Sequence, residues 1–171
     1  MTGNAGVGKT RLVLESIQEF ALTRNFELLC VKNNNLGLYD DLVASTERPG
    51  NYLFFVDDAN ELAELDLILD YTTEKQYGYD VRIIVTVRDY VKSKVIASVK
   101  KYTFPTIIEI LPFSDDGIKG FLNDNLEIRN EDYIKQIIRI AEGNPRIAYM
   151  AGKLAVEEQN LSAIKVVLTN L

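Results

Sequence analysis

Apolar positions in the first two thirds of the chain alternate between the spacing of amphipathic helices and the continuous runs of buried strands. Val13, Ile17, Phe20 and Ala21 recur at helical spacing directly after the first ten residues. Later apolar runs are bounded by turn-forming residues, such as Asn33–Asn35, and favour strands. Strands that alternate with helices imply a parallel sheet covered on both faces. The predicted strands are 26–31, 51–58, 81–88 and 106–111, and the predicted helices between them are 39–45, 60–76 and 91–101.

The strand pattern stops after residue 113, and the rest of the chain shows only helical spacing. Ser114, Asn130 and Asn144 each suit the position before a helix, where a short polar side chain accepts hydrogen bonds from free backbone N–H groups. Pro145 suits the first position of the third of these helices. The sequence therefore predicts an α/β part over 1–112 and a small helical part over 113–171. The predicted helices are 115–125, a second one after Asn130 in which Ile134, Ile137, Ile138 and Ala141 form an apolar stripe, and 145–158, with a last amphipathic turn or two in 161–171.

The first ten residues contain the pattern of a phosphate-binding loop. Gly3, Gly8, Lys9 and Thr10 match G-x-x-x-x-G-K-[ST], and Gly6 adds backbone freedom inside the loop. Glycines allow successive backbone N–H groups to turn toward an anion, and the following helix directs the positive end of its dipole at the phosphates. A chance glycine-rich turn before a lysine is the alternative. The amphipathic helix that follows at once favours the phosphate loop.

Such a loop normally follows a buried strand, but only Met1 and Thr2 precede Gly3. That strand lies in the middle of the sheet in folds of this kind. We therefore expect the sequence to be a truncated piece of a longer protein, or to start from a codon placed too late. Truncation is the preferred interpretation over a new fold.

Composition restricts the classes of function. The 171 residues are 47% apolar and 26% charged, which is typical of one soluble domain with at most a small appendage. No apolar run has the length of a membrane span, and no signal peptide is present. The single Cys30 and the absence of histidine exclude an internal disulfide, a zinc site and Ser-His catalysis. A cytoplasmic location is expected.

The net charge of −6 opposes binding to the negatively charged phosphates of nucleic acid, so we expect no direct nucleic-acid contact by this domain. A small basic cluster, formed by the lysines between residues 92 and 101, is read as a solvated helix face.

Two adjacent carboxylates, Asp57 and Asp58, stand at the C-terminal end of the apolar strand 51–58. Ligands of parallel sheets collect outside the carboxyl ends of the strands, so this pair is expected on the same edge as the phosphate loop. Asp57 is the candidate Mg²⁺ ligand, together with the Thr10 hydroxyl, and Asp58 is the candidate that orients or deprotonates the attacking water. The alternative is an Asp-Asp turn that caps a helix at Asn60.

Arg88 ends the next predicted strand, again at the carboxyl edge. A guanidinium at this position suits contact with the γ-phosphate. The alternative is an ion pair with Asp89 or with a surface carboxylate.

The chain resembles the STAND class of P-loop ATPases, signal-transduction ATPases with numerous domains that include the NB-ARC and NACHT groups and are related to AAA+ proteins. The resemblance rests on four segments in matching order and separation. They are GNAGVGKT at 3–10, LFFVDD at 53–58, VTVRD at 85–89 and GNPRIA at 143–148. The last two are the more discriminating, because the first two occur throughout P-loop proteins.

The resemblance implies a sheet in the strand order 5-1-4-3-2, here with its first strand missing, followed by a helical lid. It implies that Asp57 binds magnesium, that Asp58 is the catalytic acid, that Arg88 is a sensor arginine, and that Pro145 contacts the nucleotide and helps hold an ADP-bound resting state. Arg146, at a position often apolar in the family, is given no role. The complete sets are Asp58, Lys9 and Arg88 for catalysis; Gly3, Asn4, Ala5, Gly6, Val7, Gly8, Lys9, Thr10, Arg11 and Pro145 for nucleotide; and Thr10 and Asp57 for the metal.

The function expected from the residues and the resemblance together is an ATP-binding, slowly hydrolysing switch domain of a larger signalling protein. The expected cofactors are ATP or ADP and Mg²⁺, and the expected partner is a second copy of the full-length protein in an ATP-dependent oligomer, with no membrane contact. Two alternatives remain open: an AAA+ loader or initiator ATPase, and a truncated remnant that binds no nucleotide. The residues alone leave the choice between adenine and guanine open.

Overall fold

The computed structural model describes residues 1–31, 37–74 and 78–158. These residues form two compact units. The first contains Met1–Gly3 and Lys9–Glu109, and the second contains Asn4–Gly8 and the described residues from Ile110 onward. The predicted turn at Asn33–Asn35 and the predicted helical turns in 161–171 lie outside the described residues.

The first unit is an α/β unit in which strands alternate with helices, as the sequence predicts. A short 3-10 helix, Ala59–Glu61, follows the third strand, and another, Asp89–Val91, follows the fifth. The strands are β1 (Thr2–Gly3), β2 (Glu27–Val31), β3 (Asn51–Val56), β4 (Asp80–Val85) and β5 (Val87–Arg88). The helices are α1 (Lys9–Arg24), α2 (Leu38–Ser45), α3 (Leu65–Glu74) and α4 (Lys92–Val99).

All strand pairings in this unit are parallel. β3 lies between β2 and β4, and β1 pairs with β5, which follows β4 after the single residue Thr86. An isolated bridge joins Thr2 to Glu109 on the other side of β1. If residues 80–88 are counted as the fourth strand and the bridge at Glu109 as the fifth, the segments lie in the expected order 5-1-4-3-2. The first strand, which was expected to be missing, is represented by the two residues Thr2–Gly3.

Both faces of β3 are buried, which confirms the prediction from its continuous apolar run. Leu53 and Phe55 pack with Val13 and Ile17 of α1. Phe54 belongs to the larger core on the opposite face, with residues from α2, α3 and α4. Successive side chains of a strand point to opposite faces, so helices on both sides of the sheet require an uninterrupted apolar strand.

The prediction of a strand at 106–111 is wrong. Among the described residues, its sheet pairing is the single bridge between Glu109 and Thr2. Ile108 is 52% exposed and Leu111 is 70% exposed. The physical reason is the short partner: a strand forms only beside another strand, and β1 contains two residues.

The second unit is helical and contains α5 (Asp115–Leu126), α6 (Glu131–Ala141) and α7 (Pro145–Glu158). Its core is built from apolar positions of all three helices. The three predicted caps are confirmed. Ser114 Oγ accepts from the backbone N–H of Gly117, and Asn130 Oδ1 accepts from two N–H groups at the start of α6. Asn144 Oδ1 does the same for α7.

No helix within the described ranges combines the length and the apolar composition needed to cross a membrane.

Candidate functional site

The Thr10 hydroxyl and the Asp57 carboxylate meet at the carboxyl end of β3. Thr10 Oγ1 lies 2.8 Å from Asp57 Oδ1 and 3.0 Å from Oδ2. Thr10 is near the start of α1, and Asp57 directly follows the buried strand, so the fold places both without help from a flexible loop. The two residues predicted to hold a metal are therefore adjacent in the structure.

These oxygen atoms suit magnesium in type and number. Mg²⁺ prefers hard oxygen ligands and is usually held by one or two carboxylates or hydroxyls, with water and substrate phosphates completing the shell. Among the described residues no group of three or more His, Cys, Asp and Glu side chains has the arrangement of a metal site. Thr10 and Asp57 are thus the two oxygen donors that the carboxyl end of β3 offers to a cation.

Lys9 directly follows the predicted phosphate loop and turns its side chain back toward the start of it. Its Nζ donates to the carbonyl oxygen of Gly3 at 2.8 Å, and the residue is only 7% exposed. A buried lysine requires polar partners, since an unpaired ammonium in a low-dielectric environment is costly. The ammonium is therefore held close to the backbone of Gly3, the first residue of the motif.

Thr86 is a site residue that the sequence analysis missed. It is fully buried, and its hydroxyl donates to Asp57 Oδ1 at 2.5 Å and accepts from the backbone N–H of Asp58 at 2.8 Å. One hydroxyl therefore fixes both carboxylate-bearing residues. The available signal was a single hydroxyl in an otherwise apolar run, Ile-Val-Thr-Val, but threonine is also an ordinary strand residue.

Asp58 and Arg88 form an ion pair. Arg88 Nη2 lies 2.8 Å from Asp58 Oδ2 and also 2.8 Å from Glu61 Oε1. The hydrogen bond and the charge of Asp58 raise the pKa of Arg88, and the charge of Glu61 adds to this effect. The predicted sensor and the predicted catalytic residue are thus in direct contact. Glu61, which the sequence analysis did not single out, shares the guanidinium.

Asp58 has an uncommon backbone conformation, with φ 44° and ψ 55°. Only a few per cent of non-glycine residues adopt this left-handed region, and Asp and Asn do so most readily. The turn ends β3 and starts the 3-10 helix that carries Glu61. It therefore brings Glu61, on the helix that follows, close to Arg88.

The loop residues Asn4–Gly8 belong to the helical unit. Asn144 Nδ2 donates to the carbonyl oxygen of Ala5 at 2.9 Å. Gly6 has a φ of +80°, and a Cβ at this position would lie 2.7 Å from Asn144 Oδ1. The sequence motif explains the glycine by its backbone freedom, and the structure adds the close approach of Asn144.

A cavity of about 280 Å³ lies in the same unit. Val7, Ile140 and Ile147 contribute apolar surface, and Asn4 contributes a polar side chain. Pro145 is buried beside Asn144 but is not among the lining residues. The complete lining is Asn4, Val7, Pro112, Ile140, Ala141, Glu142, Asn144 and Ile147.

Arg11, the remaining residue of the predicted nucleotide set, forms an ion pair with Glu15 one helical turn further along α1. Its side chain is 76% exposed. The structure therefore explains Arg11 as a surface residue of α1. Its predicted contact with nucleotide stays a prediction.

Comparison with known proteins gives matches among solved structures only. No protein-family profile matches the chain, and no curated protein sequence does. The ORC1 protein of Aeropyrum pernix in complex with DNA shares 16% identity at a TM-score of 0.67, over 98% of this chain and 58% of that chain. A RuvB mutant of Thermotoga maritima shares 17% identity at a TM-score of 0.69, over 100% of this chain and 61% of that chain.

The RuvB Holliday junction branch migration motor of Thermotoga maritima shares 21% identity at a TM-score of 0.61, over 99% of this chain and 60% of that chain. The chain spans about three fifths of the length of each of these proteins. At such low identity, the likeness concerns the path of the backbone. Together with the parallel strand order, it shows that this chain shares the backbone fold of these ORC1 and RuvB structures.

Proposed function

We propose that this chain binds ATP with Mg²⁺, hydrolyses it slowly to ADP and phosphate, and serves as the nucleotide switch of a larger signalling or regulatory protein. The observation that carries the proposal is the contact of 2.8 Å between the Thr10 hydroxyl and the Asp57 carboxylate. A hydroxyl at the end of a glycine-rich loop and a carboxylate at the end of a buried strand are the two groups that hold magnesium in P-loop enzymes.

The loop and Lys9 are proposed to bind the phosphates. Backbone N–H groups of Asn4–Gly8 supply hydrogen bonds, and the dipole of α1 adds positive potential at its first turn. Lys9, now bonded to the Gly3 carbonyl, moves its ammonium to the β- and γ-phosphates. Arg11 is kept as a peripheral member of this set.

The cavity beside the loop is proposed to take the nucleoside. Its volume of about 280 Å³ lies just below the usual range of small-molecule pockets, and its walls combine apolar side chains with a few polar groups. Val7 and Ile147 are suited to contact the faces of a base. Pro145, which directly follows the lining residue Asn144, is proposed to help retain ADP.

Thr10 and Asp57 would hold the metal, and Thr86 keeps the Asp57 carboxylate in place for it. When bound, the metal neutralises charge on the β- and γ-phosphates. The hydrogen bond from the Thr86 hydroxyl to Asp57 Oδ1 restricts the orientation of the carboxylate toward a cation.

Asp58 is proposed to orient or deprotonate the attacking water, and Arg88 to contact the γ-phosphate. In the structure each of these groups has the other as its partner, at 2.8 Å. While Asp58 Oδ2 accepts from Arg88, that oxygen is not available to a water molecule. This mutual occupation supports slow turnover, which is what a switch requires if its nucleotide state is to persist.

An AAA+ loader or initiator ATPase is the second candidate. The fold likeness to an ORC1 protein in complex with DNA and to a branch migration motor favours it. The acidic net charge of −6 opposes direct contact of this domain with DNA. The switch hypothesis, in turn, proposes ATP-dependent self-association of the full-length protein in the cytoplasm, without membrane or nucleic-acid contact by this domain.

Calorimetric titration of the chain with Mg-ADP and Mg-ATP tests nucleotide binding. We expect binding by the unchanged chain and its loss in Lys9→Met, because the buried ammonium is removed. Lys101→Met is the matched control, since Lys101 lies on the surface of the same unit and its ammonium is 3.4 Å from Asp66. Absence of binding by the unchanged chain would support the third possibility, a remnant that binds no nucleotide.

The rate of phosphate release then distinguishes the nucleotide switch from the loader or initiator ATPase. The switch predicts slow turnover that added DNA does not change. Rapid turnover without any partner contradicts the switch, and stimulation by DNA favours the loader.

A further inference from the structure

Every polar group of Asn144 has a hydrogen-bond partner in the helical unit. Its backbone N–H donates to the Ala141 carbonyl at 2.8 Å, and its own carbonyl accepts from Ala148 at 2.9 Å. The side-chain oxygen caps α7 through the N–H groups of Arg146 and Ile147, at 3.0 and 3.3 Å. The side-chain nitrogen donates to the Ala5 carbonyl at 2.9 Å. The capping role fixes the orientation of the carboxamide, because only its oxygen can accept from the helix.

The phosphate loop has glycine where Asn144 approaches it. A Cβ on Gly6 would lie 2.7 Å from Asn144 Oδ1 and 3.0 Å from Nδ2, closer than side chains tolerate. Gly143, which precedes Asn144, lies against a different segment, since a Cβ there would lie 2.6 Å from the Phe113 carbonyl oxygen. Both glycines have positive φ, +80° and +78°. The carboxamide thus approaches the phosphate loop at a residue that has no side chain.

The bond to Ala5 determines the direction of a neighbouring N–H group. The peptide between Ala5 and Gly6 is trans and planar, so its C=O and N–H point in opposite directions. Because Asn144 holds the Ala5 carbonyl, the Gly6 N–H points away from Asn144. An N–H group that is fixed before the anion arrives needs no reorganisation on binding.

We propose that Asn144 is a positioning residue that holds the phosphate loop in its anion-binding shape and thereby links nucleotide occupancy to helix α7. This inference rests on the proposed nucleotide binding and deepens it. Among helix-capping side chains, the carboxamide of asparagine offers an acceptor for the helix and a separate N–H donor for the loop. Aspartate caps a helix equally well but has no N–H donor when it is ionised. The two roles of Asn144 can therefore be separated by Asn144→Asp.

Asn130→Asp is the matched control for this variant. Asn130 caps α6 through the same side-chain oxygen, with contacts of 3.0 and 3.3 Å to two N–H groups. The substitution adds the same negative charge to the same kind of helix start. Asn130 Oδ1 makes these contacts within α6, so the control changes a cap without changing a bond to the loop.

The experiment measures the dissociation of a fluorescent ADP analogue by stopped flow, together with thermal unfolding. Asn144→Asp is expected to release ADP about three- to tenfold faster, the range for one lost hydrogen bond, with a fall of the melting temperature of no more than about 2–6 °C. Asn130→Asp is expected to match the unchanged chain in its rate of ADP release and in its melting temperature. The acceleration should persist when salt is raised from about 0.1 M to about 1 M, since repulsion by the new carboxylate would be screened.

Hydrogen exchange of the nucleotide-free chain gives a second, independent readout. The loop peptide of Asn144→Asp is expected to exchange faster than that of Asn130→Asp, because the tether to Ala5 is lost. If Asn144→Asp matches the control in both ADP release and loop exchange, Asn144 is a helix cap only and the inference is wrong. If the unchanged chain binds no ADP, the proposed function fails, and loop exchange still decides whether Asn144 orders the loop.

Discussion

Thr86→Val should destabilise the α/β unit and disorder the carboxyl end of β3, where the metal is proposed to bind. Valine has nearly the shape of threonine, and position 86 is fully buried, so the packing is kept while the hydroxyl is removed. Asp57 loses a donor at 2.5 Å, and the N–H of Asp58 loses an acceptor at 2.8 Å. The backbone of residue 86 keeps its own bonds to Val56 and Ala59, so the strand itself is retained.

The expected loss of unfolding free energy follows from the two lost hydrogen bonds. A hydrogen bond to an ionised carboxylate contributes about 1.5–3 kcal/mol, and one between neutral groups about 0.5–1.5 kcal/mol. Asp57 is half-buried and regains some hydration, so the lower part of the summed range applies, about 2–3 kcal/mol. For a unit of this size, that corresponds to a fall of about 1–2 M in the urea midpoint.

Urea unfolding followed by circular dichroism is the assay, with Thr86→Ser as the control. Serine keeps the hydroxyl and loses one buried methyl group, a cost of about 1 kcal/mol. We therefore expect the urea midpoint to be highest for the unchanged chain, lower for the serine variant and lowest for the valine variant. If the two compact units unfold separately, only the transition of the α/β unit should move. A valine variant at least as stable as the serine variant would refute the role assigned to the hydroxyl.

Three further predictions concern other parts of the molecule. Asp58→Asn should keep Mg-ATP binding and lower phosphate release by about 10²-fold or more, and equal turnover would remove Asp58 from the chemistry. Gly6→Ala should weaken ADP binding in calorimetry, because its Cβ would meet Asn144 at 2.7 Å, whereas the same change at Gly120, where a Cβ would have no atom within 4 Å, should not. Lys119 lowers the pKa of Glu131, so this pair stabilises the fold above the ordinary glutamate pKa and loses that contribution as pH falls. The difference in unfolding free energy between the unchanged chain and Lys119→Met should therefore shrink when unfolding is measured at acid pH.

The sequence was most informative where one residue type has one physical explanation. The run 53–56 is apolar at every position, which only a strand buried on both faces requires, and it correctly located the two aspartates at its carboxyl end. The helix caps were equally direct, because each depends on a side chain and on N–H groups two or three residues away. Local rules suffice for such features.

Non-local contacts could not be read in this way. Thr86 is typical of a strand whether or not its hydroxyl bridges two aspartates, and the partner atoms lie 28 and 29 residues away. Glu61 reaches Arg88 only through the left-handed turn at Asp58. The segment 106–111 has the composition of a strand, but a strand also needs a partner of its own length, and composition carries no information about that partner.

The bond between Ala5 and Asn144 joins residues that are 139 positions apart in the chain. A ribosome delivers the first of them many seconds before the second, at about 5–20 residues per second. During that interval the nascent phosphate loop has no carboxamide to hold its Ala5 carbonyl, whereas α1 and the strands after it are already emerging. If the chain binds nucleotide as proposed, it reaches full affinity late in biosynthesis, and a ribosome-stalled chain that has not yet exposed residue 144 should release ADP at least as quickly as the untethered variant.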